Sequence, residues 1–428
     1  MTDATMDRPA AKASDDGELT TADGTPLAVS LRRSHAQARR RAFYLVLPLL
    51  AFLVITFLVP IATMMTRSVQ NYEVADYLPT TTAAIADWDG TGLPDEAVYA
   101  AMAEDMVVGS ENRTIGRVAA RINREIPGVR SQMMGTARDI DEMSPPWKEA
   151  LIAEDEGWAN EEFWRLVKRE TRTLTPIYYL LSFDFEYNSH GEIVERPEEY
   201  QVYRLMFLRT AWMSLLITTL CIVLGYPVAY MLANLPLRYS NLLMILVLLP
   251  FWTSLLVRTS AWIVLLQQQG VVNDMLVWAG VIADDGRFRM IYNQIGTIVA
   301  MTHILLPFMI LPLYSVMKTI PKSYMRAARS MGASPLRSFV SVYMPLTVPG
   351  LAAGVLLVFI LAIGYYITPA LVGGDTGIFI SNLIARAMQG STAELKLALA
   401  LSTILLVAVL IFYWLFNKLV GVDRLKFG

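Results

Sequence analysis

Cysteine is almost absent: Cys221 is the single thiol in 428 residues, and there are only three histidines. One thiol excludes an intrachain disulfide and any cysteine-built metal site. Because Cys221 sits inside an apolar run, a small packing role is expected for it. No G-x-x-x-x-G-K-[ST] phosphate loop occurs, so any ATP hydrolysis belongs to another chain. H-E-x-x-H, G-x-S-x-G and spaced carboxylate pairs are missing too, which leaves no visible nucleophile, base or metal centre. The expectation is a non-enzyme without cofactor or metal. Charge is scarce at 17% of residues, whereas 54% are hydrophobic. That is too apolar for an average soluble protein and long enough for several membrane spans plus one soluble domain.

What charge there is falls unevenly. Residues 71–200 hold 26 acidic and 12 basic side chains, a local charge of −14; of the 38 acidic and 36 basic residues in all, 12 and 24 lie elsewhere, a balance of +12. An acidic soluble block is inserted into a basic membrane protein. Nothing suggests nucleic acid as a partner, because membrane topology accounts for the arginines.

In chain order, residues 1–41 read as a disordered cytoplasmic tail, polar at first and ending in Arg32, Arg33, Arg39, Arg40 and Arg41. The apolar run 42–66 is too long for a signal peptide and reads as an uncleaved first span with the amino terminus inside. Residues 67–203 form the acidic insertion. Within it Ile115, Val118, Ala119, Ile122 and Ile126 share one helical face, and Trp147, Trp158 and Trp164 are expected in its core. A core at 204–428 then supplies five more spans, about Leu205–Ala233, Asn241–Leu266, Ile291–Met317, Val348–Ala370 and Leu395–Val420. Prolines recur within spans, at Pro48, Pro60, Pro227, Pro250, Pro307, Pro312 and Pro369, and favour kinked helices that line a path.

The loop 318–349 is the most informative stretch. Lys318–Thr347 contains five basic residues and no acidic one, the mark of a cytoplasmic loop. Its chemistry fits two short helices. The first ends at Gly332, where a left-handed residue needs no Cβ, and Pro335 suits the first turn of the second. Ala327, Ala328 and Ala333 leave a low surface on which another protein's groove can close.

Ala327-Ala328, then Gly332 four residues on, with Leu346 to Gly350 after Met344-Pro345, resembles the coupling loop of ABC importer permeases. PFWTSLLVRTSAW (250–262), GYYITPALVGG (364–374) and VGVDRLKFG (420–428) extend the likeness to the first permease subunit of spermidine/putrescine-type importers. Arg326 stands where that family usually has Glu. The resemblance covers residues 42–66 and 205–428 and not the acidic insertion. It implies an all-α integral membrane protein with six transmembrane helices, the type I ABC importer permease fold, and a mostly helical periplasmic insertion between helices 1 and 2. It also implies a multi-pass place in a bacterial inner membrane with both termini cytoplasmic. The partners implied are an ABC ATPase subunit, as a homodimer, a second permease, a periplasmic substrate-binding protein and membrane lipid. The implied function is a translocation path for a small solute, a polyamine such as spermidine or putrescine. The ATPase-coupling residues carried over are Arg326, Ala327, Ala328, Gly332, Ala333 and Pro345.

Candidates for the path come from the spans. Arg258 is the one charge well inside the later ones, where central placement costs about 2.5 to 3.5 kcal/mol; it fits path lining and snorkelling equally. Trp252, Trp262, Tyr365 and Tyr366 offer rings that hold ammonium groups or simply pack. His303 has no second ligand at helical spacing and reads as a hydrogen-bonded packing residue. Alternatives are a permease for another small organic solute, such as an amino-acid derivative, and a membrane receptor with an external sensor domain.

Overall fold

A computed structural model describes residues 12–13, 19–20, 27–72, 74–188 and 191–420. They fall into two compact units, Met1–Thr66 and Arg67–Gly428. In the first, α1 (Leu27–Leu53) passes through a π-helical turn at Val54–Leu58 into α2 (Val59–Val69). Pro60 has no N–H for its own turn, and one residue earlier the Val59 N–H bonds the Val54 carbonyl across the widened loop. Residues 27–41, expected as part of a disordered tail, are helical. This stretch is rich in Leu, Ala and Arg and has neither Gly nor Pro, so propensity extends the helix ahead of the apolar run. Most residues before Leu27 lie outside the described ones.

The insertion is a helical body with its own core. Its helices are α3 (Pro79–Ile85), α4 (Glu96–Glu111), α5 (Ile115–Ile122), α6 (Val129–Asp139), α7 (Trp147–Glu154), α8 (Glu161–Glu170) and α9 (Ile177–Ser182), followed by a hairpin pairing Phe185–Tyr187 with Ile193–Glu195. The predicted face of α5 is buried at Ile115, Val118, Ala119 and Ile122, while Ile126 lies in the following turn and packs against the same core. Trp158 and Trp164 are fully buried, and Trp147 packs at the edge. The polar handles of the buried rings are used: Tyr99 Oη donates to the Trp158 carbonyl at 2.7 Å, Trp164 Nε1 donates to the same oxygen at 2.9 Å, and Trp158 Nε1 donates to Thr136 Oγ1 at 3.0 Å. That satisfaction lets large amphipathic rings sit in a dry interior.

Among the described residues five runs are long and apolar enough to cross a membrane: His35–Val69, Tyr203–Asn234, Gln294–Thr319, Pro335–Gly364 and Thr392–Leu419. The sixth predicted span, Asn241–Leu266, is broken rather than straight. It forms α11 (Leu237–Leu248), a 3-10 turn at Leu249–Trp252, α12 (Leu255–Leu266) and α13 (Val271–Trp278), with a bend of 100° between Trp252 and Leu255. Pro250 opens the turn, Thr253 and Ser254 are extended, and Ser254 Oγ restarts the helix by accepting the Val257 N–H at 3.2 Å.

The membrane core is built on α10 (Tyr203–Asn234), α14 (Gln294–Thr319) and α17 (Met344–Gly364), which pack on one another. Met213, Ile217 and Cys221 meet Met301, Leu305, Met309 and Val358 there. At the tightest crossing Gly354 faces Met309: a Cβ on Gly354 would lie 2.7 Å from Met309 Sδ. A small residue brings the helices close enough for dispersion to hold them where no hydrophobic drive separates helix from lipid. The chain then closes with α18 (Ile367–Val372), α19 (Gly374–Gly377), α20 (Ile380–Ala387) and α21 (Thr392–Val420).

The insertion is rooted on this core. Asp184, fully buried with φ 59°, accepts the N–H groups of Val202 and Tyr203 at 3.0 Å and of Arg204 at 2.8 Å, capping the start of α10. Alongside, α9 packs on α21 through Ile177, Tyr178 and Ala400.

Candidate functional site

At the end of the core away from the insertion, the hairpin between α14 and α17 forms two helices, α15 (Lys322–Ser330) and α16 (Pro335–Ser338). Gly332 has φ 90°, and its N–H bonds the Arg329 carbonyl at 3.0 Å while Ala333 N–H reaches the Ala328 carbonyl at 3.1 Å. This paired closure is a Schellman motif, which needs a residue free to turn left-handed. Ser334 Oγ then caps α16 by accepting the Arg337 N–H at 3.3 Å, with Pro335 in the first turn.

The two faces of this hairpin differ. Ala328 and Ser338 are buried and Ala333 half-buried, so one side is seated on the protein. The other exposes Arg326, Ala327, Arg329, Gly332 and Arg337 together with Met331 and Leu336, which are 83% and 74% exposed. Pro345, also exposed, lies at the start of α17 beyond the helices themselves. The sequence reading missed Met331 and Leu336; two apolar side chains inside a basic loop were the available signal.

Between hairpin and span runs a π-helical turn, Phe339–Tyr343, held to α10 by rings. Phe339 and Tyr343 stack at 5.7 Å, and Tyr230 meets them edge-on at 5.5 and 5.4 Å. Tyr226 Oη bonds Thr347 Oγ1 at 3.0 Å. The segment that joins the hairpin to α17 is thereby in contact with α10 as well.

Inside the spans, residues distant in sequence converge around α12, α14 and the break after α17. Trp262 Nε1 donates to His303 Nδ1 at 3.2 Å, with the rings edge-on at 5.3 Å. Arg258 lies one helical turn before Trp262 on α12. Its Nε is buried without a partner among the described residues. Thr259 and Thr368, both fully buried, face each other with hydroxyls 3.2 Å apart. The helix ends at Gly364, so Tyr365 and Tyr366 leave their carbonyls to Ser381 Oγ and Asn382 Nδ2, each at 2.7 Å. Arg258, Trp262 and Tyr365 therefore share a neighbourhood, Tyr366 follows on the same break, and Trp252 stands beyond the bend, 73% exposed. His303 is hydrogen-bonded and packed as expected, but its partner Trp262 and the threonine pair were missed, because no local pattern joins residues 41 or 109 positions apart. The phrase VGVDRLKFG lies, after Val420, outside the described residues. Among those residues no three metal-ligating side chains converge.

Residues 197–420 match the family described as "Binding-protein-dependent transport system inner membrane component". The chain is 36% identical over 227 residues to the spermidine/putrescine transport system permease protein PotB of Escherichia coli (strain K12), covering 51% of this chain and 80% of that protein. The PotB of Haemophilus influenzae is 34% identical, over 51% of this chain and 78% of its own length. The inner membrane ABC transporter permease protein YdcU of Escherichia coli (strain K12) is 30% identical, over 54% and 74%. A crystal structure of a bacterial ABC transporter involved in the import of the acidic polysaccharide alginate aligns with a TM-score of 0.42 at 20% identity, covering 52% of this chain and 80% of that one. With the match spanning the helices from α10 to α21, the chain belongs to the inner-membrane components of binding-protein-dependent transport systems.

Proposed function

We propose that this chain is the permease of an ATP-driven importer that carries a polyamine, spermidine or putrescine, handed over by a periplasmic binding protein. A second permease completes the path, and ATP is hydrolysed on a separate pair of subunits. The observation that carries this reading is the hairpin: a rigid pair of short helices, seated on one face and presenting Met331 and Leu336 amid arginines on the other. Such a face suits a groove on a nucleotide-hydrolysing partner, and the rings of Tyr230, Phe339 and Tyr343 supply the linkage to two spans. The polyamine assignment follows the two PotB relatives. In this orientation the hairpin and both termini are cytoplasmic and the insertion is periplasmic.

For a cationic solute, the faces of Trp262, Tyr365 and Tyr366 attract ammonium groups. Arg258 repels them, so its role is to pair with an acid of the second permease and to shape the path. The transport cycle requires the spans to have two states that ATP binds unequally.

The test uses membrane vesicles holding the complete assembly. Gly332→Val places a β-branched residue at φ 90°, a strain of roughly 1–2 kcal/mol. It is expected to abolish substrate-stimulated ATPase activity without preventing membrane insertion, whereas Gly332→Asn, which tolerates the left-handed turn, retains most of it. Uptake that survives Gly332→Val rules out the lever. ATPase activity unmoved by spermidine and putrescine, yet stimulated by another solute, removes the polyamine and leaves the lever standing.

A further inference from the structure

The insertion as a whole is acidic, yet the cavity it shares with the start of the last span has the opposite character. This cavity, about 880 Å³, lies among α5, α8, α9, the 185–195 hairpin and the first turn of α21. Seven of its lining residues are Arg or Lys and five are Asp or Glu. Its effective sign depends on which charges are already engaged.

Two of the acids are ion-paired, and two more are held by neutral donors and keep their charge. Glu125 is held by Arg121 at 3.1 Å and by Arg169, and Glu186 by Arg196 at 3.1 Å. Glu394 accepts the N–H and hydroxyl of Ser391 at 2.5 and 3.0 Å. Asp89 accepts the hydroxyl and N–H of Thr91 at 2.7 and 2.8 Å, which hold its carboxyl below the usual range. Glu162 is the lining carboxylate that remains.

The cations are less occupied. Arg172 is exposed, and its guanidinium has no hydrogen bond or ion pair among the described residues. Arg124 reaches Ser391 Oγ at a long 3.4 Å. Arg165 meets Glu161 only at 3.8 Å, and its Nε is buried without a partner among the described residues, whereas Arg121 is ion-paired, to Glu125 at 3.1 Å and to the buried Glu170 at 2.9 Å. Ile177, Leu181 and Leu397 add an apolar wall on the side of α9 and α21.

We propose that this cavity binds an oxyanion, a carboxylate or phosphate group, carried by a small soluble anion or by the headgroup of an acidic phospholipid beside α21. Guanidinium forks match such groups with paired, charge-assisted bonds. A ligand held by Arg172 and Arg124 bridges the turn after α5 to the turn after α8. The site is separate from the transport path and stands whether or not the transported solute is a polyamine.

The experiment follows thermal unfolding by tryptophan fluorescence on the full-length protein in its assembly. Nanodiscs of neutral phosphatidylcholine receive citrate, inorganic phosphate or chloride at equal ionic strength, and parallel nanodiscs contain phosphatidylglycerol. The midpoint is expected to rise by several degrees with citrate or phosphate, which assigns a soluble anion, or only with phosphatidylglycerol, which assigns a headgroup. Arg124→Gln/Arg172→Gln should weaken the effect about tenfold or more in apparent affinity, as loss of a charge-assisted pair implies. Arg138→Gln, on an exposed arginine outside the cavity, should leave it intact. No shift with citrate, phosphate or phosphatidylglycerol beyond that with chloride, an unchanged shift in the double variant, or an equal loss in Arg138→Gln overturns the proposal.

Discussion

Asp184 adopts a left-handed backbone, which Asp tolerates better than most residues, and its carboxylate takes three successive N–H groups that α10 cannot satisfy itself. Arg204 Nε lies 3.7 Å from the same carboxylate. Removing the side chain leaves those donors buried and unpaired, at about 2–3 kcal/mol. Asp184→Ala is therefore expected to lower the melting temperature followed by tryptophan fluorescence, whereas Asp184→Asn, which keeps an acceptor and the backbone preference, should recover most of the loss. Equal melting of the two variants would show that the carboxylate does not hold this junction. Nothing local announces this role: Asp184 is one acid among 26 in its stretch, and its partners begin 18 residues later. Gly332 and Pro335 were legible because helix closure and re-initiation are chemistry of adjacent residues.

Among the elements, the apolar runs revealed the spans, but hydropathy carried straight through the broken one. Pro227 and Pro307 sit inside continuous helices, so proline alone did not single out Pro250. The deciding feature is the polar pair after it: Thr253 and Ser254 go extended, and the Ser254 side chain begins a new helix. The crossing of α17 on α14 was equally silent, because a glycine in an apolar run gives no sign of which helix it faces. Gly354→Val should force the two apart against Met309, destabilising the purified protein by about 1–3 kcal/mol in a detergent melt, with Gly354→Ala intermediate. A valine variant as stable as the parent would show that the crossing has room to relax.

At the scale of the whole molecule, composition separated an acidic soluble block from a basic membrane part, and the contact between them was beyond its reach. A sum of charges does not say which side chains turn inward, so an insertion of net −14 has a cavity whose lining holds seven cations to five acids. The block is also cut off neatly at its base. Thr175 N–H bonds the Val69 carbonyl at 2.8 Å and Asn71 N–H bonds the Thr173 carbonyl at 2.9 Å, so the chain returns beside its point of departure. Replacing residues 72–172 by a short flexible linker while keeping α9 and Asp184 should leave a membrane core that inserts and elutes as a single species in size-exclusion chromatography. Aggregation of that variant would show that the core depends on the excised helices.

The insertion is rooted at two places, over the first turn of α10 and against α21. A change in the angle between those two helices would have to be absorbed at the base of the insertion, so a pair of dyes placed across that base would report it.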